Sequence, residues 1–212
     1  MKPISLTPKE EAYIICYIAM YYNCDKRTCW KQIGEIIQKY GTRTNKIVYR
    51  GHSKKDATIK QTAPFVSTTP KKDMADLFVE RNWGLPEENQ RVGHLFKIHL
   101  KNVPTLSTRN IQYTFTEEVK EELHKINKDR LIQKGTGNYT LEEFFPKIKS
   151  LIQELVFDEE AQNSEEILVL TGGVFYKDSS MKTKGYTPIN TNDFETWYSF
   201  PSYTKTRKHT VK

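Results

Sequence analysis

Three short stretches follow one another in a fixed order: Val48-Tyr49-Arg50-Gly51, Phe65-Val66-Ser67-Thr68-Thr69 and Ser164-Glu165-Glu166-Ile167-Leu168, each at or beside an apolar run of β type. The texture of the chain changes around them. Over residues 1–45 the pattern is helical. Thr7-Pro8-Lys9-Glu10 has the spacing of a capped helix start, and Ala12, Ile15, Ile18, Ala19 and Tyr22 recur behind it at helical intervals. A second helix is predicted from Arg27 to Tyr40, with Trp30, Ile33, Ile36 and Ile37 on its apolar side and Gly41 as its stop. This pair reads as scaffold, without a polar constellation. From Lys46 onward the apolar runs are short: Ile47-Val48-Tyr49, Pro64-Phe65-Val66 and His94 to Leu100, with a helix opened by Thr69-Pro70 and carrying Met74, Ala75, Leu77 and Phe78 between the last two.

Residues 116–157 return to helical spacing. Thr116 caps a helix that Gly135 is expected to end, and Thr140-Leu141-Glu142-Glu143 is a capping box whose helix Pro146 should kink or split. The polar stretch Asp158 to Ser164 reads as a loop, and Ile167-Leu168-Val169-Leu170 as a fully apolar strand broken by Gly172-Gly173 and resumed at Val174. A further loop at Asp178–Lys184 precedes β-like runs near Tyr186 and at Trp197–Phe200. Helices, strands, helices, strands is the order of an α+β domain with a helical insertion. One domain then spans residues 1–212: helices to 45, a β-rich core at 46–110 and 158–204, the insertion at 116–157 and a basic tail at 205–212.

Composition narrows the class. Aromatic residues make up 12% of the chain, which gives core volume that a disordered sequence lacks. The formal net charge of +7 favours acidic partners, such as nucleic acid, an acidic protein surface or an anionic dinucleotide; solubility alone is the plainer account. Cys16, Cys24 and Cys29 are too few and of the wrong number for a disulfide framework, and no zinc set completes Cys24 and Cys29, so neutral cysteines in a reducing compartment are expected and no metal. Glu10 and Glu11 precede the apolar stretch Ala12–Tyr22, which is unlike a signal peptide and too short for a membrane span; a cytoplasmic protein is expected.

Arginine, serine and glutamate suit the opening of the nicotinamide–ribose bond of NAD. A carboxylate near the ribose stabilises an oxocarbenium-like transition state. Arginine's planar fork matches a pyrophosphate, and a hydroxyl beside the carboxylate fixes its rotamer. Read singly, Arg50 is a surface ion-pair residue, Ser67 to Thr69 a helix cap and Glu165-Glu166 a solvated pair. Together and in this order they resemble the arginine, serine-threonine-serine and glutamate motifs of the ADP-ribosyltransferase family, in its R-S-E branch. Ala75 and Phe78 after the middle motif, and Gly173-Val174-Phe175 after the third, are similar to the family's flanking segments.

The resemblance covers about Lys46 to Tyr176. It implies a split β-sandwich, NAD as co-substrate, and mono-ADP-ribosyl transfer to a protein or nucleic-acid acceptor. It further implies Arg50, Ser67 and Glu166 as the catalytic set, with Thr68 and the backbone of Gly51 also at NAD. Arg81 or Trp83 would meet NAD from the loop Arg81-Asn82-Trp83-Gly84. Ser164 and Glu165 would face the acceptor. Two positions depart from the pattern. Thr69 keeps the hydroxyl of the third motif residue. Ser164 stands where glutamate or glutamine is usual and can neither pair with a guanidinium nor serve as a base at neutral pH, which argues against arginine as acceptor. NAD glycohydrolysis on the same fold, or a non-catalytic basic binding module, are the competing readings. His52 reads as a loop residue and His94 with His99 as opposite faces of one strand. Trp197, Tyr198, Phe200 and Tyr203 read as terminal strand core.

Overall fold

The computed structural model describes residues 3–20, 26–52, 64–75, 94–134, 136–158, 165–170 and 195–199. Helix α1 is Pro8–Ala19 and α2 is Lys26–Tyr40. The capping box at the start of α1 forms as its spacing predicts. Thr7 N and Oγ1 both donate to Glu10 Oε2 at 2.9 Å, and Glu10 N donates to Thr7 Oγ1 at 3.3 Å. Lys39 Nζ and Tyr40 Oη, at the far end of α2, also donate to the Glu10 carboxylate at 2.9 Å, so one side chain caps α1 and clamps the two helices. Gly41 ends α2 as expected. A Cβ there would stand 2.3 Å from the Ile37 carbonyl oxygen and 3.1 Å from that of Thr105, leaving no room for a side chain.

The strands form two sheets. In the first, β2 (Thr42–Thr44), β6 (Val103–Ser107), β10 (Ile167–Leu170) and β4 (Phe65–Thr68) lie in the order β2-β6-β10-β4, all antiparallel to their neighbours. The second sheet has the order β11-β5-β3, built from β3 (Ile47–His52), β5 (His94–Lys101) and β11 (Glu195–Ser199), with β11 parallel to β5. Two short ladders complete the described strands: β1 (Ile4–Ser5) with β7 (Ile111–Gln112), and the hairpin β8 (Ile132–Lys134) with β9 (Gly137–Tyr139).

Alternation along β10 explains its unbroken apolar sequence. Ile167 and Val169 enter a small core with Val48, Val66, Phe96, Ile98, Leu100 and Val103, between the two sheets. Leu168 and Leu170 face the other way, into a larger core with Ile14, Ile15, Ile33, Ile37, Leu123, Phe144 and Ile148 of the helices. The result is three layers: helices, a four-stranded sheet and a three-stranded sheet. The α+β class expected from the sequence is what the described residues adopt.

The insertion differs from its sequence reading. Helix α3 (Glu117–Asn127) stops well before Gly135, with Lys128 in the left-handed region at φ 51°, and the hairpin β8–β9 follows. Helix α4 (Leu141–Ile152) carries the expected capping box on Thr140 and Glu143 and is not split by Pro146; the wider turn Gln153–Phe157 comes behind it. Glu11 ties this region to α1. Its buried carboxylate accepts from Thr114 N at 2.7 Å, Thr114 Oγ1 at 2.7 Å and Phe115 N at 3.0 Å, which satisfies the charge and fixes Phe115 at φ 51°.

Two further expectations change. His52 is the last residue of β3, paired with His94, and not a loop residue. Cys16 is buried with a free thiol, which burial pushes up to about 12, but Cys29 is disulfide-bonded. That bond removes the case for a reducing compartment drawn from cysteine count. Among the described residues no helix is long and apolar enough to cross a membrane, and no cluster of His, Cys, Asp and Glu could hold a metal ion.

Partial burial works against the Glu10 carboxylate, yet its hydrogen bonds from Lys39, Thr7 and Tyr40 bring it down to about 2. A depressed carboxyl contributes stability above its unfolded value and loses it as pH falls through the folded one. Glu10→Gln keeps an acceptor at the third helical position but loses its charge, and should therefore cost about 1 kcal/mol near neutral pH, the difference between charge-assisted and neutral hydrogen bonds. The gap to wild type should narrow between pH 4.5 and about 2, read by urea melts across that range.

Candidate active site

The two sheets meet at one corner. Beyond the end of β4, Tyr49 N donates to the Thr69 carbonyl at 2.7 Å and Thr69 N donates to that of Tyr49 at 2.8 Å, so β3 and the continuation of β4 are stitched together. This joint brings the first two sequence motifs side by side. The third arrives through the β10–β4 ladder, in which Thr68 pairs with Ile167 and Ser67 with Leu168.

Side-chain direction then follows from period two. Ser67 shares the face of Phe65, and Glu166 that of Leu168, both on the helix side of the sheet. Ser67 and Glu166 are diagonal neighbours there, and Ser67 Oγ donates to Glu166 Oε1 at 2.5 Å. The backbone of Glu166 is held from the opposite side, where Thr108 N donates to its carbonyl at 3.3 Å. Thr68 points the other way and donates from Oγ1 to the Ile167 carbonyl at 2.9 Å, a buried cross-strand bond that locks the same register. Arg50 lies two residues beyond the core residue Val48, on its face of β3. Its Nη1 donates to the Ser67 carbonyl at 2.6 Å, so the guanidinium is tied to the backbone of the second motif.

Arg50, Gly51, Ser67, Thr68 and Glu166 all line one cavity of about 540 Å³. Arg50, Ser67 and Glu166 are each half-buried, unlike the surface ion pair and solvated charge pair that the isolated motifs suggested. Thr69 Oγ1 accepts from Lys71 N at 3.2 Å, closing a side-chain turn just ahead of the helical residues 72–75. Glu165 is half-buried and is not among the cavity's lining residues. Arg81, Trp83, Ser164, Gly173, Phe200 and Tyr203 lie outside the described residues.

Sequence reasoning missed a residue that the site holds at its centre. Tyr17 of α1 donates from Oη to Glu166 Oε1 at 2.8 Å, so the N-terminal helices do present a polar group after all. Its ring is set edge-on against Phe65, with centroids 5.4 Å apart and planes at 82°, and Phe65 in turn meets Trp30 of α2 edge-on. No sequence signal marks it, since a tyrosine on an amphipathic helix is ordinarily packing. Leu155 and Val156, from the turn behind α4, form part of the cavity wall and give the insertion a place at the site. Comparison of the chain with protein-family models, curated proteins and solved structures returns no match.

Burial, and after it the charge of Glu166, push the Tyr17 phenol well above its ordinary range, so it stands protonated as a donor. In Glu166→Gln the neighbouring charge is gone, and Tyr17 should ionise at lower pH than in the wild type. Tyrosine 13Cζ resonances, with Tyr17 assigned by its loss in Tyr17→Phe, would read this; an identical titration in both proteins would contradict the contact.

Proposed function

We propose that this chain is a mono-ADP-ribosyltransferase with a fold of the split β-sandwich kind, cleaving NAD and passing ADP-ribose to a protein or nucleic-acid acceptor. One observation carries the reading: a glutamate carboxylate held by a serine hydroxyl at 2.5 Å in a cavity whose other wall offers an arginine tied to that serine's backbone.

In the reaction the bond between ribose C1′ and the nicotinamide nitrogen breaks, and its electron pair leaves with the ring and neutralises the pyridinium. Positive charge grows on the ribose, where the Glu166 carboxylate stabilises it. The acceptor's nucleophile then bonds to C1′ and gives up its proton to solvent water. Arg50 takes a phosphate or ribose oxygen of NAD, a task for which a planar, permanently charged fork is suited. Ser67 keeps the carboxylate in one rotamer. Gly51 offers backbone to the nicotinamide amide, Thr68 holds the strand register beneath, and Arg81 or Trp83 adds an NAD contact. Ser164 and Glu165 meet the acceptor, and the net charge of +7 suits an acidic one.

Labelled NAD incubated with the protein and either lysate or nucleic acid tests this. Label should pass to a macromolecule, and Glu166→Gln should reduce transfer by about 10²-fold or more, as loss of a group stabilising transition-state charge does. Arg50→Lys should weaken NAD binding by about tenfold or more through loss of the bidentate fork. Free ADP-ribose with no labelled macromolecule would make the protein a glycohydrolase. NAD that is neither bound nor consumed would defeat the enzyme reading.

A further inference from the structure

We infer that Tyr17 is a positioning residue for Glu166, completing with Ser67 a two-hydroxyl clamp on a single carboxylate oxygen. This rests on the reading of the cavity as the NAD-cleaving site. Both donors converge on Oε1, Ser67 Oγ at 2.5 Å and Tyr17 Oη at 2.8 Å. Among the described residues no donor is bonded to Oε2. Glu166 thus has one oxygen fastened to the protein and the other left for substrate.

The two hydroxyls come from different layers. Ser67 belongs to β4, in the sheet that also holds Glu166, and can fix only the in-plane position of the carboxylate relative to its neighbouring strand. Tyr17 reaches down from α1 and fixes it against the helix layer. Ser67 is held through the β10–β4 ladder and the Arg50 bond to its carbonyl, and Tyr17 is carried by α1 with its ring against Phe65 of β4. A glutamate side chain has three rotatable torsions, and a single hydrogen bond leaves the carboxylate free to pivot about it. Two donors from different elements, β4 and α1, remove that freedom, which is what preorganisation of a charged group requires. Burial and the Glu166 charge keep the phenol protonated, so the clamp persists through the neutral range.

A positioning role predicts a distinct kinetic pattern. Tyr17→Phe keeps the ring and its contact with Phe65 and removes the hydroxyl that donates to Glu166. Nicotinamide release, which counts transfer and hydrolysis alike, should show kcat lowered by about tenfold or more, the effect of one lost hydrogen bond to a charged group. KM for NAD should stay close to wild type, because the lost contact is to the protein's own carboxylate. The same assay on the wild type and Glu166→Gln separates the two claims. If the wild type releases nicotinamide, Glu166→Gln does not, and Tyr17→Phe matches the wild type in kcat, the clamp is overturned and the enzyme reading stands. If Tyr17→Phe changes only Tm, Tyr17 is structural and the clamp is again overturned. A wild type that releases no nicotinamide overturns the enzyme reading and the clamp with it.

Discussion

Strand β10 has apolar cores on both faces, and its register against β4 decides where Ser67 and Glu166 fall. Thr68 pairs with Ile167 and Ser67 with Leu168. A slip of one residue would turn Glu166 away from the helices and into the space between the sheets, where Val48, Val66 and Phe96 offer it nothing. The register is protected by burial on both sides, since Ile167 and Val169 fill one core and Leu168 and Leu170 the other. The Thr68 hydroxyl, bonded to the Ile167 carbonyl, reinforces it. The carboxylate is therefore fixed by hydrophobic patterning first and by hydrogen bonds second.

The joint between Tyr49 and Thr69 is the second constraint. It couples the three-stranded sheet to the four-stranded one at the point where Arg50 and Ser67 must meet. The apolar contact between the sheets is non-directional and sets no register, so this joint fixes how the two motifs meet. Arg50 then closes the arrangement by donating to the backbone of Ser67. Arg50, Ser67 and Glu166 thus sit at a seam between the two sheets.

Much of this was legible in the sequence, for identifiable reasons. Capping boxes at Thr7 and Thr140 are local, and both form as their spacing predicts. The unbroken apolar run of β10 fits its cover on both faces, and the apolar runs at or beside Arg50, Ser67 and Glu166 marked those residues as carried by strands. What failed was non-local or depended on a short element. The hairpin β8–β9 has three residues to a strand and too little alternation to compete with the surrounding helical pattern. Pro146 does not split α4 because a helix packed through Phe144, Ile148 and Ile152 can absorb a missing backbone donor. Tyr17 was invisible because its importance comes from a glutamate 149 positions away. The Cys29 disulfide, too, is a matter of spatial approach, which counting cysteines does not reveal.

The central claim is that the corner where the sheets meet is where NAD is held and split. A crystal structure of the Glu166→Gln protein with NAD at saturating concentration tests it most directly. The account predicts the nicotinamide ribose against residue 166, beneath Tyr17 and Ser67, with the pyrophosphate at Arg50. NAD bound elsewhere on the molecule, or a cavity that excludes it at saturation, would contradict the account.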